Sequence, residues 1–599
     1  MASIKKAENL SSAGAEYLAS NAASSVGTDA DLPTNGQQPK LSHAEELKLA
    51  SSGLAGALLT EIPDLTNDRI SDEAASLLKF HGSYQQEDRD QRQERKRQKR
   101  DRAWQFMIRT KCPGGRMTAE QYLLADELAS AHGNETLRIT TRQAIQFHGV
   151  GKAHLKPLIK ALNERWVTTY GACGDIARNT LTCPIADLLP GHNFDFQELA
   201  KQVSDRFLPD STAYYELWLD GEKVLTDGRK VQITPNRTES FYGPTYMPRK
   251  HKIGIGLPHD NCVDLFTHDL ALEAVIDDQG AVKGFNLVAG GGLGSTHGKK
   301  ETFPRLGDRI GFLPPDQGLA VLEAATAVYR DYGDRGNRKH ARLKYVLEDR
   351  GVAWFQDEVA QRLGWRLAPV ADTGSYGVHD HLGWQQQADG RWLVGIWVEN
   401  GRIKDAPGAP TRTGLREIVR EVQPEIRLTA HQNIVLARIS ADDKPRVEAL
   451  IAQYRLVTGE GSLSTLRRYA MACPALPTCG LAVAEAERYL PNIITQLEER
   501  GYGQERIWIR MSGCPNSCSR PPTAEIGIVG RSLGLYNVYL GGSFEGTRLA
   551  QLYRPNVRAE ALVDLLTEVI DQWRWDRAPG EAFGDWAART LVAEQAVEA

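Results

Sequence analysis

Apolar residues alternate with polar ones in two widely separated stretches of the chain. Residues 137–150 read LRITTRQAIQFHGV, and residues 426–439 read IRLTAHQNIVLARI. Alternation of this kind predicts half-buried β-strands. Each stretch is followed by a segment whose apolar residues recur every three or four positions, KAHLKPLIKALNERW and ADDKPRVEALIAQY, which is typical of an amphipathic helix. The pattern therefore predicts an internal β-α-β-α repeat.

The segments around these strands correspond as well. Residues 106–121 predict a strand, a turn and the start of a helix, and residues 391–422 contain the same elements in the same order. Later in each half, a strand runs into a Gly-rich turn, at residues 284–294 and 536–546. We predict an internally duplicated α/β (α+β) protein whose halves each have a small β-α-β part and a larger mixed α/β part. A cofactor site shared between the halves fits this organisation, because ligands often bind where domains meet.

Two segments near the amino terminus fall outside the repeat. Residues 1–40 are rich in Ala, Ser, Gly and Asn, which predicts a disordered tail. Residues 42–78 show helical periodicity, and residues 86–102 are dense in charge, ending in RKRQKRDR. Two interpretations of this basic segment stay open: a solvated helix or loop, or a cationic surface for an acidic partner or an anionic cofactor.

Composition narrows the class of protein. The 599 residues are enough for several domains, and the net charge of −4 gives no sign of a nucleic-acid partner. No apolar run approaches the roughly 18 residues that a membrane helix needs. Eight cysteines without a disulfide-like framework favour a reducing compartment. We expect a soluble cytoplasmic protein that binds neither nucleic acid nor membrane.

Four of the cysteines form two close pairs, Cys473 with Cys479 and Cys514 with Cys518. Thiolates in such pairs can hold zinc or an iron–sulfur cluster. The five-residue spacer of the first pair is wider than the spacers of about two to four residues usual for structural zinc. Pro and Gly beside both pairs favour a backbone that curls around a bulky cluster. The alternative is a set of buried free cysteines, but the pairing favours an iron–sulfur cluster.

Basic residues gather at predicted strand ends of the first half. Lys250 and Lys252 stand two positions apart, so on a strand both side chains face one way. Two adjacent ammonium groups repel each other unless an anion lies between them. A solvent-exposed strand face is the alternative, but the neighbouring Arg249 favours an anion site, since guanidinium groups match carboxylates well. Other members of the group are Arg109, Lys111, Arg138, Arg142 and Arg178.

These motifs, in this order, resemble the sulfite and nitrite reductase hemoproteins, which contain sirohaem coupled to a 4Fe–4S cluster. The resemblance spans roughly residues 45–585. The matching motifs are FHGSYQQ at residues 80–86, LRITTRQ at 137–143, YMPRKHK at 246–252, GFN at 284–286 with the glycines at 290–292, and the two cysteine pairs.

The resemblance implies a role for each matching residue. The four cysteines would bind the cluster, and Cys518 would also ligate the sirohaem iron. The distal face, where substrate binds and receives protons, would be formed by Arg109, Arg178, Lys250 and Lys252. The residues that bind the cofactor would be Arg138, Thr140, Arg142, Arg249, Asn516 and Cys518. Cys112, Cys173, Cys183 and Cys262 match no ligand role, and we interpret them as core or incidental.

The same resemblance implies five parts. They are an extension at residues 1–79 with a disordered first part, a ferredoxin-like repeat at 80–165, a sirohaem and substrate half at 166–345, linker helices with a second ferredoxin-like repeat at 346–455, and a second half with the cysteines at 456–599.

It also implies an activity, the six-electron reduction of sulfite to sulfide in sulfate assimilation and cysteine biosynthesis. Nitrite reduction to ammonia is the alternative; Lys252 favours sulfite, because the family's nitrite enzymes tend to have Asn there. The chain has no flavin or nicotinamide motif, so another protein must supply electrons. Ferredoxin and an NADPH-dependent flavoprotein subunit are both open as donors, with the sequences around Arg109, Cys173 and Cys473 leaning toward ferredoxin.

Two positions depart from the family pattern. Ser519 follows the last cysteine where the family usually has Gly or Ala, and its hydroxyl is a candidate hydrogen-bond donor to a sulfur. Leu476 stands where an aromatic residue is common, which predicts altered packing over the cluster. Neither change removes a ligand.

Overall fold

The computed structural model describes residues 40–191, 193–225, 229–459, 461 and 463–592. The predicted disordered tail lies outside these residues apart from Lys40. Residues 41–592 belong to one compact unit.

The β-strands fall into sheets that follow the predicted repeats. In chain order they are β1 (Ser83–Glu87), β2 (Trp104–Arg109), β3 (Arg116–Met117), β4 (Leu137–Ile139), β5 (Ile145–Val150), β6 (Glu222–Val224), β7 (Lys230–Gln232), β8 (Ile253–Gly256), β9 (Leu270–Ile276), β10 (Val282–Ala289), β11 (Asp308–Leu313), β12 (Gly383–Gln386), β13 (Trp392–Ile396), β14 (Arg402–Ile403), β15 (Asp405–Ala406), β16 (Ala409–Pro410), β17 (Glu425–Leu428), β18 (Ile434–Ile439), β19 (Ala470–Ala472), β20 (Ile509–Ser512), β21 (Ile526–Ser532), β22 (Leu535–Leu540) and β23 (Gln551–Arg558).

The α-helices lie between and around these strands. In chain order they are α1 (His43–Ala50), α2 (Leu58–Glu61), α3 (Asp72–Leu78), α4 (Arg92–Arg97), α5 (Ala119–His132), α6 (Leu155–Asn163), α7 (Phe196–Arg206), α8 (Ala213–Trp218), α9 (Gly318–Tyr332), α10 (Leu343–Arg350), α11 (Val352–Leu363), α12 (Thr411–Val422), α13 (Lys444–Gln453), α14 (Thr465–Arg468), α15 (Leu490–Glu499), α16 (Leu562–Asp576) and α17 (Phe583–Ala587).

The two repeats form matching sheets that exchange a strand. The first has the order β1-β2-β5-β4-β14, and the second has the order β12-β13-β18-β17-β3. The two-residue strands β3 and β14 thus each complete the sheet of the other repeat. Helices α5 and α6 accompany the first sheet, and α12 and α13 accompany the second. The internal duplication is confirmed, and the exchange binds the two repeats into one body.

Residues 137–150, predicted as one strand, form a tight hairpin instead. Strands β4 and β5 pair antiparallel, and the amide of Thr140 donates to the carbonyl of Ala144 at 2.9 Å. Gln143 closes the turn with a φ of 50°. The second repeat has the same hairpin, with Gln432 at a φ of 69°. The turns were missed because the polar–apolar alternation continues through them, without Gly or Pro.

Each half also carries a larger sheet. Their orders are β11-β10-β9-β8 and β19-β20-β21-β22-β23. Strands β8 and β9 pair parallel, and so do β19, β20 and β21. The mixed α/β class is therefore confirmed, while the residue limits of the five predicted parts stay predictions.

Helix α5 illustrates how local sequence fixes an element. Thr118 accepts a hydrogen bond from the amide of Gln121, whose side chain returns one to the Thr118 amide, forming a capping box. Among the described residues, none of the helices combines the length and the apolar composition of a membrane-spanning segment.

Candidate active site

The four paired cysteines gather at one edge of the second large sheet. Cys473 follows β19, and Cys514 follows β20 by two residues. Because these strands pair parallel, their carboxyl ends meet at the same edge. The amide of Gly513 donates to the sulfur of Cys473 at 3.3 Å. Both pairs are thus held side by side by the sheet.

The cysteine sulfurs affect one another electrostatically. Burial raises the pKa of Cys473, and negative charge on Cys518, Cys479 or Cys514 would raise it further. The pKa of Cys514 rises to about 11 through burial and then through Cys518. Holding all four side chains as thiolates would therefore require a compensating cationic centre.

The distances between these sulfurs distinguish a single zinc ion from an iron–sulfur cluster. In the described part of the chain, three or more Cys, His, Asp or Glu ligand atoms within 4.8 Å of one another occur only at Cys183, Asp260, Cys262 and His381. The sulfurs of the two cysteine pairs are therefore too far apart to share one tetrahedral ion. A multi-iron cluster fits them, because its ligands surround several metal atoms.

The Gly-rich turn of the first half covers the second cysteine pair. The amide of Ser295 donates to the carbonyl of Pro515 at 3.0 Å. The ammonium group of Lys344 holds the turn by donating to the carbonyls of Gly292 and Gly294, at 3.1 and 3.0 Å. The turn therefore brings the first half against residues 514–518.

A group of cationic side chains lies beside these loops, and we call Arg109, Arg142, Arg178, Lys250 and Lys252 the cationic bay. Arg109 ends β2, and Arg142 lies in the turn between β4 and β5. Residues 176–181 run alongside the segment that holds Lys250 and Lys252, since the amide of Arg178 donates to the carbonyl of His251 at 2.9 Å. Four chain segments thus place cations around one space.

The pKa values of the two lysines reflect this crowding. The pKa of Lys250 lies well below its ordinary value because of burial and then the charge of Arg249. Burial, followed by the charges of Arg142 and Arg342, lowers the pKa of Lys252 to about 7. Asp269 opposes this shift only in part.

Neither lysine ammonium has an ion pair or hydrogen bond with the residues that the structure describes. The nearby carboxylate of Asp269 is bound by Arg342, whose Nη2 lies 2.6 Å from Oδ1. Buried cations without counterions are costly. The bay therefore suits a small anion.

The bay and the last cysteine belong to one site. The hydroxyl of Thr141 donates to the carbonyl of Cys518 at 3.0 Å, although the two residues lie in different halves. Arg109 donates from Nη1 to the sulfur of Cys173 at 3.0 Å. Burial alone would lower the pKa of Arg109, but negative charge on Cys173, Tyr84 and Cys518 outweighs it.

Several predicted cofactor residues line the same space. Nη1 of Arg142 lies 3.3 Å from Nδ1 of His268. Nε of Arg142 is buried and has no hydrogen-bond partner among the described residues. The hydroxyl of Thr140 accepts from the Arg142 amide at 3.1 Å. Arg249 is only loosely paired with Asp175, at 3.7 Å. These side chains have donor capacity left for the carboxylates of a cofactor such as sirohaem.

Arg138 and Asn516 have other contacts. Arg138 donates to Glu487 and to the carbonyl of Ala472, both at 3.0 Å. Its predicted contact with a cofactor carboxylate gains no support from this geometry. Asn516 donates from Nδ2 to the sulfur of Cys514 at 3.5 Å, which places it at the second cysteine pair.

The two departures from the family pattern have local explanations. The hydroxyl of Ser519 donates to the carbonyl of Met511 at 2.6 Å and lies 2.7 Å from the hydroxyl of Ser512. It therefore serves the backbone below the cysteine loop and not a sulfur. Leu476 is buried within the apolar core of the second half.

The remaining cysteines, interpreted from the sequence as core or incidental, are all buried. Cys173 is buried in the cationic bay, and Cys183 and Cys262 meet at a separate buried cluster. Spacing in the sequence gave no signal for either, because their partners are distant in the chain. Cys112 contacts the hydroxyl of Thr110 at 3.3 Å and stays a core residue.

Two family models match the chain. The model described as the nitrite and sulphite reductase 4Fe-4S domain matches residues 173–367. The model described as the nitrite/sulfite reductase ferredoxin-like half domain matches twice, at residues 97–165 and 385–454. The double match coincides with the two strand-exchanging sheets.

Curated relatives are similar over nearly the whole chain. A sulfite reductase (NADPH) hemoprotein beta-component of Myxococcus xanthus is 45% identical over 557 residues, covering 92% of this chain and 97% of the relative. The protein of the same name in Geobacillus kaustophilus is 44% identical over 565 residues, covering 93% and 97%. Among solved structures, the Mycobacterium tuberculosis NirA protein has a TM-score of 0.76 at 24% identity, covering 93% of this chain and 97% of that one. This last similarity concerns the fold alone.

Proposed function

Because the chain belongs to the nitrite and sulfite reductase family, we propose that it reduces sulfite to sulfide with six electrons, as sulfate assimilation and cysteine biosynthesis require. The observation that carries this proposal is the hydrogen bond between Thr141 and Cys518, which joins the cationic bay to the cysteine edge. An anion site and an electron source are thereby next to each other.

The cofactors of the reaction are sirohaem and a 4Fe–4S cluster. Cys473, Cys479, Cys514 and Cys518 would hold the cluster, with Cys518 shared with the sirohaem iron. Arg142, Thr140 and Arg249 would bind carboxylates of the sirohaem. When bound there, these cofactors would supply the electrons of the reduction.

The cationic bay binds the substrate and supplies protons. Arg109 and Arg178 stay charged and hold the anion, since guanidinium groups do not lose their proton in proteins. The ammonium nitrogen of Lys252, with a pKa of about 7, can both donate and regain a proton near neutral pH. Repeated protonation is needed because each sulfite oxygen leaves as water. Nitrite is the second candidate substrate, because the bay fits any small oxyanion.

The donor of electrons would dock beside the first cysteine pair. Helix α4 has no buried residue, and the amide of Arg89 just before it donates to the carbonyl of Pro477 at 3.4 Å. Arg488 pairs with Asp90 at 2.7 Å, and Leu481 nearby is 66% exposed. A basic rim around an exposed apolar side chain suits an acidic protein surface.

The names of the relatives support one of the two candidate donors. Their shared name denotes one component of an NADPH-dependent sulfite reductase. We therefore favour an NADPH-dependent flavoprotein subunit over ferredoxin, against the leaning of the sequence motifs.

The reaction is tested with the purified protein. Sirohaem bands in the visible spectrum, iron bound to the protein and sulfide formed from sulfite with reduced methyl viologen are expected. Cys518→Ser should abolish sulfide formation and the electronic coupling of haem and cluster, whereas Cys112→Ser should retain both. A colourless protein without iron would refute the proposal.

The docking surface is tested with protein donors. Arg95→Glu combined with Lys96→Glu should slow turnover with the NADPH flavoprotein and leave turnover with methyl viologen unchanged. Arg446→Glu, an exposed charge reversal on α13, is the matched control. Faster turnover with reduced ferredoxin than with the flavoprotein would overturn the choice of donor.

A further inference from the structure

Four potential metal ligands from three separate segments converge away from the paired cysteines. They are Cys183, Asp260, Cys262 and His381, and their ligand atoms all lie within 4.8 Å of one another. All four residues are buried, with exposures of 2%, 5%, 2% and 3% in that order. The activity proposed above uses none of them.

The distances within this cluster suit one tetrahedral ion. The sulfur of Cys183 lies 3.1 Å from Oδ2 of Asp260 and 3.9 Å from Nε2 of His381. Nε2 of His381 lies 3.2 Å from the same carboxylate oxygen. Zinc bonds of about 2.0–2.3 Å in tetrahedral geometry place neighbouring ligand atoms roughly 3–4 Å apart. The four side chains are therefore already near coordination geometry.

The backbone holds the ligand-bearing segments together. The amide of Asn261 donates to the carbonyl of Gly377 at 2.7 Å, and the amide of Gly377 donates to the carbonyl of Pro258 at 3.0 Å. Oδ1 of Asp260 accepts from the amide of His379 at 3.1 Å, which leaves Oδ2 directed into the cluster. The loop at residues 257–262 and the segment at 377–381 are thus fixed to each other.

His381 is held in a strained conformation by its surroundings. Its φ is 59°, in the left-handed region that non-glycine residues seldom adopt. A Cβ on Gly395 would lie 1.7 Å from the carbonyl oxygen of His381, so only glycine fits there. Strain of this kind persists where the surrounding structure overdetermines a residue, often at a ligand site.

We propose that Cys183, Asp260, Cys262 and His381 bind one zinc ion at a site distinct from the iron–sulfur cysteines. Two thiolates and an imidazole exclude magnesium and calcium, which take oxygen ligands. Four protein ligands fill a tetrahedral coordination sphere, so the ion has a structural role.

The ion would stabilise a loop that reaches the active site. Cys262 precedes Asp264 by two residues, and the Asp264 carboxylate pairs with Arg510 at 2.8 Å and with Arg520 at 2.6 Å. Arg520 lies two residues beyond Cys518. Zinc at this cluster would hold the loop that carries Asp264. Asp264 in turn pairs with Arg510 and Arg520, which flank the second cysteine pair in the sequence.

Metal analysis of the purified holoprotein tests the inference. About one zinc per chain, in addition to iron, should survive gel filtration without chelator. Cys183→Ser and Cys262→Ser should each reduce zinc to below about a tenth per chain and lower the unfolding temperature. Cys112→Ser is the matched control and should retain the zinc, because Cys112 is a buried cysteine outside the cluster.

Zinc K-edge X-ray absorption of the unmodified holoprotein tests the zinc site even if the cysteine variants fail to fold. The expected spectrum has two sulfur ligands at about 2.3 Å and two lighter ligands at about 2.0–2.2 Å. Holoprotein without zinc, zinc without sulfur ligands, or a native disulfide between Cys183 and Cys262 would each overturn the site. Zinc should also persist in Cys518→Ser, in which the proposed reaction is lost. The zinc measurement therefore tests the site independently of the proposed reaction.

Discussion

The guanidinium of Arg138 donates from Nε to Oε2 of Glu487 at 3.0 Å, joining the first repeat to the segment behind the paired cysteines. Arg402 binds the other oxygen of the same carboxylate at 2.8 Å. The amide of Glu487 donates to the carbonyl of Cys473 at 3.1 Å. One carboxylate thus connects both repeats to Cys473, the first of the paired cysteines.

Replacing this carboxylate should destabilise the protein. Burial alone would raise the pKa of Glu487, but Arg402 and Arg138 outweigh it and lower the pKa. Glu487→Gln leaves two largely buried guanidinium groups uncompensated, so we expect a loss of about 3 kcal/mol or more. Thermal unfolding measures the loss of stability, and the iron content measures any loss of the cluster. Glu485→Gln, which breaks the more exposed pair with Arg488, should cost less than about 1 kcal/mol; equal losses would contradict the role of Glu487.

In the Gly-rich turn, replacement of Gly291 by alanine should destabilise the protein, whereas the same replacement of Gly294 should not. A Cβ on Gly291 would lie 2.2 Å from the carbonyl oxygen of Phe266 and 2.3 Å from that of His268. Since backbone must move, Gly291→Ala should cost about 2–4 kcal/mol in stability. A Cβ on Gly294 meets the Asn516 carbonyl at an ordinary 3.6 Å, so Gly294→Ala should leave the unfolding temperature nearly unchanged. An equally stable Gly291→Ala variant would refute the steric argument.

Short-range patterns in the sequence predicted the residues of the candidate site better than they predicted the contacts between distant segments. The cysteine pairs and the lysines at 250 and 252 were visible because their partners lie a few residues away. The duplication was visible because both repeats keep the same alternation. The exchange of β3 and β14 could not be predicted, since two-residue strands leave no periodic signal. The contact of Cys183 with His381 joins residues 198 positions apart, so no spacing rule could find it.

Lys252 should distinguish the two candidate substrates. Its ammonium group has no counterion among the described residues, so a doubly charged anion gains more from it than a singly charged one. Lys252→Asn should lower kcat/KM for sulfite by about 10- to 100-fold. The loss for nitrite should be several-fold smaller. Lys404→Asn, an exposed change, should affect neither; equal losses on both substrates would refute the discrimination.

The pH dependence of nitrite reduction should report the same side chain. The pKa of Lys252 is lowered to about 7 by burial and by the charges of Arg142 and Arg342. As pH rises through this value, the free enzyme loses a positive charge from the bay, so kcat/KM should fall, by up to about tenfold per pH unit. Nitrite is the suitable probe because it stays a monoanion over this range, whereas sulfite itself titrates.

Lys252→Asn should remove this inflection and leave kcat/KM low and nearly constant across it. The comparison is necessary because burial also lowers the pKa of Lys344 to about 7. Lys344 donates to backbone carbonyls of the Gly-rich turn, so its deprotonation would loosen that turn without removing charge from the bay. Initial rates from pH 6 to pH 9 in both proteins separate the two lysines. An inflection that survives in Lys252→Asn would assign it to Lys344 and refute Lys252 as the proton-exchanging group.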